Sequence, residues 1–274
     1  MRKSIKRAIQ NITDFGDTDI FPYPIENRIL FDKSKEVVDY LCEVDKDFDR
    51  FITAYPPANY GTLAPVGYTG FRWATQIDPL WNVYYLALVI ELGERIEAAR
   101  IPIEQNVVFS YRFNPDRSSS ELFLKNYGWK PFTSHAIEQA GKHKFVVSCD
   151  VSEFYPRVNH HRLDNALRQL ENADTCRKKL MDFLSNFSET YSFGLPVGGP
   201  ASRILSELTL NQIDRLLRQR RISFCRFADD YYIFANDNAE AFKALVYLSQ
   251  ILQRNQGLQL QKSLVPARCF SRQV

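Results

Sequence analysis

Two adjacent carboxylates, Asp229 and Asp230, stand in the middle of Ser223 to Asn236, which reads SFCRFADDYYIFAN with aromatic and apolar residues on both sides. Such flanks suit a half-buried pleated surface, and the interruption at Ala228-Asp229-Asp230 reads as the tip of a tight β-hairpin. The acids are then held on a rigid edge rather than on a loose loop. A hydrophobic hairpin that ends in two unneutralised acids wants a cation. Taken alone, the pair is more simply a solvated turn, because Asp is favoured in turns for its own backbone hydrogen bonds.

A second stretch changes that balance. Lys144 to Asn159, KFVVSCDVSEFYPRVN, opens with an apolar strand-like run that delivers Asp150 at its end, with Glu153 close behind. If the two strands lie side by side, Asp150 comes level with Asp229 and three carboxylates gather at one edge. Such a cluster cannot stay fully ionised without a metal. Oxygen ligands with room for substrate phosphates favour Mg2+ or Mn2+ over Zn2+. Two such ions, about 3.5–4 Å apart, would activate an attacking hydroxyl and stabilise the leaving oxygen in phosphoryl transfer.

The elements that must hold these acids follow from hydrophobic spacing. Tyr85, Leu88, Val89, Leu92 and Ile96 predict a helix from Asp78 to Ala99 with one buried face, ended by Ile101-Pro102. A short β run, Val107 to Phe109, presents Tyr111 and Arg112. The Arg112 fork suits phosphate oxygens and could clamp a triphosphate, or it could form a surface salt bridge; Arg72, in GFRWA, is a further candidate of the same kind. Helices are expected over 134–140 and 161–170, with His160, His161, His135 and His143 as ordinary surface or capping residues. Phe193 to Ser202, FGLPVGGPAS, is a Gly- and Pro-rich loop that opens a helix at Pro200. Paired glycines allow close approach of a ligand or another chain, and the positive helix end favours phosphate. The arginines that close this helix, Arg215, Arg218, Arg220 and Arg221, complement its negative end. After a further helix, Gly257 to Lys262 reads as a turn into a strand. Pro56-Pro57 and Asn59-Tyr60-Gly61 read as turns, and basic Met1 to Gln10 as a phosphate-touching arm or a solvated helix face.

Composition sets the outer bounds. At 274 residues, 45% hydrophobic and 24% charged, the chain can bury a large core, and a net charge of +3 leaves nucleic-acid contact to local clusters. Five cysteines without metal-like spacing fit a reducing cytoplasm. No run is long enough to span a bilayer and the N-terminus lacks a signal-peptide segment, so no membrane partner is expected.

Strand-Asp150, the Gly-rich loop at 194–199, the Ala228-Asp229-Asp230 hairpin and Gly257 to Lys262 occur in the order of motifs A, B, C and D of the polymerase palm. Together they resemble a reverse transcriptase. DVSEFYP, LPVGGPAS, FADD and SYR are similar to bacterial enzymes of the abortive-infection and defence-associated type. The resemblance implies an α+β fold: right-hand fingers and palm, an antiparallel palm sheet covered by helices, and no thumb. It implies an N-terminal extension with finger elements over 1–77, fingers over 78–143 and palm over 144–274. It further implies that Asp150, Asp229 and Asp230, with the Val151 carbonyl, bind two Mg2+ or Mn2+ ions, and that the backbone of Ser152, Glu153 and Phe154 faces the triphosphate. Tyr155 matches the bulky residue that crowds the sugar 2′ position and selects deoxynucleotides. Pro196, Val197, Gly198 and Gly199 would pack near the nascent pair, and Lys262 would protonate pyrophosphate, a role worth about 10²–10⁴-fold.

Two departures qualify the likeness. Val197 stands where many reverse transcriptases have Gln, removing one hydrogen bond near the incoming nucleotide. The chain also stops soon after motif D, so a thumb is expected from a longer protein, from a second copy or another subunit, or not at all. The expected activity is RNA-templated DNA synthesis from dNTPs in phage defence, with an RNA template or noncoding RNA and nascent DNA as partners. Untemplated or protein-primed synthesis stands beside it, as does a non-catalytic nucleic-acid-binding assembly module.

Overall fold

Ile5, Ala8, Ile9 and Ile12 form one buried stripe along α1 (Arg2–Phe15), and this stripe lies against the middle of the chain. The structure, a computed structural model, describes residues 1–66, 70–188 and 191–266. Of the two readings of the basic N-terminus, the helix face holds: Arg2, Lys3 and Lys6 are exposed on α1, and only Arg7 departs from it. Arg7 is buried and donates to the carbonyls of Asn114, Ser119 and Glu121, while Arg2 pairs with Asp39. Short helices α2 (Ile29–Asp32), α3 (Ser34–Lys46) and α4 (Phe48–Ala54) follow.

Next comes a hairpin, β1 (Asn59–Val66) and β2 (Gly70–Ile77), where turn signals were expected at Asn59-Tyr60-Gly61. Gly61 has a packing reason: a Cβ there would lie 2.4 Å from the ring of Trp73 on the opposite strand. Helix α5 (Pro79–Ala99) starts as the sequence predicts, with Pro79 in the first turn and the Asp78 carboxylate accepting from the Trp81 N–H at 3.1 Å. Its expected single buried face is corrected. Every residue from Val83 to Ile90 is buried, because α1, α9 (Asp174–Ser188) and α10 (Pro200–Gln219) all pack around it.

Between these helices the chain builds an antiparallel four-stranded sheet in the order β4-β5-β3-β6, from β3 (Phe145–Val151), β4 (Ser223–Phe227), β5 (Asp230–Ala235) and β6 (Leu260–Pro266). Alternation divides its two faces. Val147, Cys149, Val151, Tyr231 and Ile233 join the main core, which α10 and α11 (Asn238–Gln256) help to close. On the other face Val146, Cys225, Tyr232 and Phe234 pack with Phe132, Ala136 and Ala140 of α6 (Trp129–Lys142). The main core runs without a break from Ile5 to Leu258 and draws on all three segments expected as separate parts. Helices α7 (Phe154–Arg157) and α8 (His160–Arg168) follow β3. Among the described residues no helix is long and apolar enough to cross a membrane, and Cys42, Cys176 and Cys225 are free thiols.

Phe132 is fully buried and stacks on Tyr232 with ring centroids 4.9 Å apart. Phe132→Ala should therefore cost about 3–5 kcal/mol in urea denaturation, whereas Ser134→Ala on the exposed side of α6 should stay within about 0.5 kcal/mol.

Candidate active site

Strands β3 and β5 pair so that Asp150 stands directly opposite Asp230. The expected alignment with Asp229 is one residue off. The hairpin turn consists of Ala228 and Asp229, so Asp230 is already the first residue of β5. Asp229 projects from the turn, and its carbonyl accepts from the Val151 N–H at 3.2 Å, tying turn to strand end. Three carboxylates thus meet at one edge, and those of Asp150 and Asp229 lie within hydrogen-bonding reach of each other.

Electrostatics register the crowding. Burial, then the neighbouring Asp229, push the Asp150 carboxyl up to about 6. Burial, then Asp229 and Asp150, push Asp230 up to about 7. Asp229 is raised as well, chiefly by burial, against the opposing pull of Arg72 and Arg226. Arg72 of β2 lowers Asp150 too, so the β1–β2 hairpin presents a guanidinium to the acids.

Among the described residues no three His, Cys, Asp or Glu side chains converge into a ready-made metal cage. An all-oxygen pair with a third carboxylate nearby nevertheless fits Mg2+, which keeps waters and binds through one or two carboxylates plus substrate phosphates. The raised carboxyls are what an uncompensated cluster shows.

Beyond β3 the chain turns sharply. Ser152 donates its N–H to the Gln259 carbonyl at 2.9 Å, and Glu153 takes a left-handed φ of 48°. The Glu153 carboxylate pairs with Arg157 and stays outside the acid cluster. Phe154 is buried. Tyr155 packs against it and lies within hydrogen-bonding reach of Tyr111 and Ser206, while burial, followed by Tyr111 and Asp229, drives its phenol acidity far down. The Tyr155 ring is therefore a neutral, half-buried wall beside Asp229.

The Gly-rich loop is pinned to the same wall. Leu195 donates its N–H to the Tyr155 carbonyl at 2.9 Å, Gly194 donates to Val158, and the buried His160 ring holds the Gly194 carbonyl at 2.7 Å. His160 was expected to be a surface or capping residue; the capping role belongs to Asn159, which accepts from the Arg162 N–H. Pro196 and Val197 are buried, and Gly198 has a φ of 109°. The close approach that the glycines allow is made by the chain itself: a Cβ at Gly198 would lie 2.2 Å from the Thr18 hydroxyl oxygen, and one at Gly199 would lie 3.2 Å from the Asp17 carbonyl oxygen.

Two candidates fall elsewhere. Arg112 is buried and spends its guanidinium on Glu97 and on the carbonyls of Val108 and Ile101, so it is corrected from phosphate clamp to internal tie. Lys262 lies in β6 opposite Cys149; its side chain is outside the described residues.

A family described as "Reverse transcriptase (RNA-dependent DNA polymerase)" matches residues 92–263, more than half of the chain. The chain belongs to the reverse transcriptase family. It is an RNA-directed DNA polymerase, a nucleotidyltransferase. No curated protein matches the chain. The matched region of this reverse transcriptase runs from within α5 into β6 and takes in every strand of the four-stranded sheet.

Sequence reasoning missed the buried charges behind the site. Arg226 is an arginine inside an apolar strand, and Glu207 and Asp214 interrupt the apolar face of α10; each of these would be costly without the others. That mutual need was the available signal.

A carboxyl raised in the folded state stabilises the fold at low pH, below its unfolded value, and loses that contribution as pH rises through the folded value. For Asp230 the loss spans roughly pH 4 to 7. In metal-free protein, Asp230→Asn should raise the denaturation midpoint at pH 8 more than at pH 4. After discount for partial exposure, the difference should be on the order of 1–2 kcal/mol.

Proposed function

We propose that this reverse transcriptase joins a 3′-hydroxyl to the α-phosphate of a dNTP, with Asp150 and Asp229 as the divalent-ion ligands and Asp230 completing the acidic set. The observation that carries the proposal is the meeting of Asp150, near the end of β3, with Asp229, in the β4–β5 turn beside it, next to Tyr155. Two Mg2+ ions, or Mn2+, would supply activation of the hydroxyl and stabilisation of the leaving oxygen when bound. The Val151 carbonyl and the backbone of Ser152 to Phe154 follow directly on β3 and are assigned to the ion and triphosphate side. Arg72, whose charge reaches Asp150 and Asp229, is assigned to the phosphates in place of Arg112. Tyr155, held by packing on Phe154, is assigned to crowd the ribose 2′ position and so to disfavour ribonucleotides. Pro196 to Gly199 are assigned to the template side of the nascent pair, and Lys262 to proton donation.

Templating by RNA follows from the family, and a role in phage defence is supported by the likeness of DVSEFYP, LPVGGPAS and FADD to defence-associated enzymes. Untemplated or protein-primed synthesis would use the same acids and differ only in product sequence and attachment.

The test is dNTP incorporation by purified protein with Mg2+ and its co-purifying RNA, followed by product sequencing. Asp150→Ala and Asp229→Ala should each lower incorporation by about 10³-fold or more. Product that persists in Asp229→Ala contradicts the assignment. Tyr155→Ala should narrow the preference for dNTP over rNTP by on the order of 10²-fold, read as the ratio of kcat/KM values.

A further inference from the structure

The turn that carries Asp229 contains an unfavourable residue. Ala228 holds a left-handed φ of 51°, a region that residues with a Cβ avoid. Something must keep it there: besides the β4–β5 pairing and the Val151 N–H on the Asp229 carbonyl, one side chain clamps Ala228 itself. The Nη1 of Arg226 donates to the Ala228 carbonyl at 2.7 Å. The same guanidinium gives Nη1 and Nη2 to Glu207, at 3.2 and 2.8 Å, and Nε and Nη2 to Asp214, at 3.0 and 2.7 Å. All of its N–H groups are engaged and it is fully buried.

We infer that Arg226 is a positioning residue: it transmits the fixed frame of α10 to the Ala228–Asp229 turn and so sets the pose of the Asp229 carboxylate. The inference rests on Asp229 being a metal ligand, as proposed above. A rigid planar fork is needed, because the Ala228 carbonyl and two carboxylates must be reached at once; a lysine ammonium offers three donors from one atom.

The α10 end of this frame also supports the opposite wall. Glu207 accepts from Arg100 and from the Ser110 hydroxyl, and Arg100 donates to the Ser110 and Tyr111 carbonyls. Tyr111, itself at a φ of 46°, lies against Tyr155. One buried carboxylate therefore couples the acid turn to the wall beside the Tyr155 ring.

The test measures Mn2+ binding to purified protein by electron paramagnetic resonance, without nucleotide, alongside circular dichroism and dNTP kinetics. Arg226→Lys should keep its secondary structure, weaken Mn2+ binding by about 10-fold or more, and lower kcat with KM for dNTP changed by less than about twofold. Ala228→Gly added to Arg226→Lys should recover roughly threefold or more of the Mn2+ affinity, because glycine takes the left-handed turn without a clamp. Should Arg226→Lys fail to fold, Glu207→Gln takes its place, with an expected weakening of roughly threefold. Unchanged Mn2+ affinity in the folded variant overturns the inference, as does weakening that Ala228→Gly does not relieve. Failure of the underlying reading is separate and visible in the parent: Asp229→Ala would then leave Mn2+ binding intact, and the inference falls with it.

Discussion

Like charges held at short range are the constraint around which this chain is built. Asp150, Asp229 and Asp230 repel one another where β3 meets the β4–β5 turn, and partial burial thins the water that would soften that repulsion. Apart from the carboxyl–carboxylate hydrogen bond open to Asp150 and Asp229, nothing in their own side-chain chemistry draws them together. Their meeting is enforced by backbone pairing that continues through Val146, Val147 and Ile233 in the core. The sheet thereby holds together side chains that repel one another once ionised.

A second set of charges, all buried except the half-buried Glu97, supplies the stiffness. Glu97, Glu207 and Asp214 are matched with Arg100, Arg112 and Arg226. Such pairs offer little net stability over a well-packed apolar core, since desolvation offsets most of the attraction. They give direction instead. An arginine fork accepts few arrangements, and here it links α5, α10, the Val107–Tyr111 segment and the Asp229 turn into one frame. Burial pushes the Glu207 carboxyl up, and the two arginines beside it more than offset this, so it stays ionised.

Much of this was legible in the chain itself. Short apolar runs ending in acids marked β3, β4 and β5, and Gly257 before Leu258 to Lys262 marked the turn into β6. The exact register was not legible, because whether Asp230 belongs to the turn or the strand depends on a left-handed alanine that sequence patterns penalise. Arg112 and Arg226 were misjudged or passed over for one reason: an arginine is read as exposed until its buried partners are known. Gly61 was read as a turn residue because nothing local reveals Trp73 across the hairpin. The N-terminal residues Asp17 and Thr18 were silent too, since their role lies in meeting Gly198 and Gly199 at long range.

Proton release on metal binding tests the account most directly. A carboxylate cluster that holds protons because no cation is present must give them up when one binds. Titrating unbuffered, metal-free protein with Mg2+ near pH 6.5 should release on the order of one proton per chain, falling toward zero near pH 9, with the release lost in Asp150→Asn/Asp230→Asn. Binding with no proton release at pH 6.5, or release that persists in the double variant, would show that these acids are not where the ion sits.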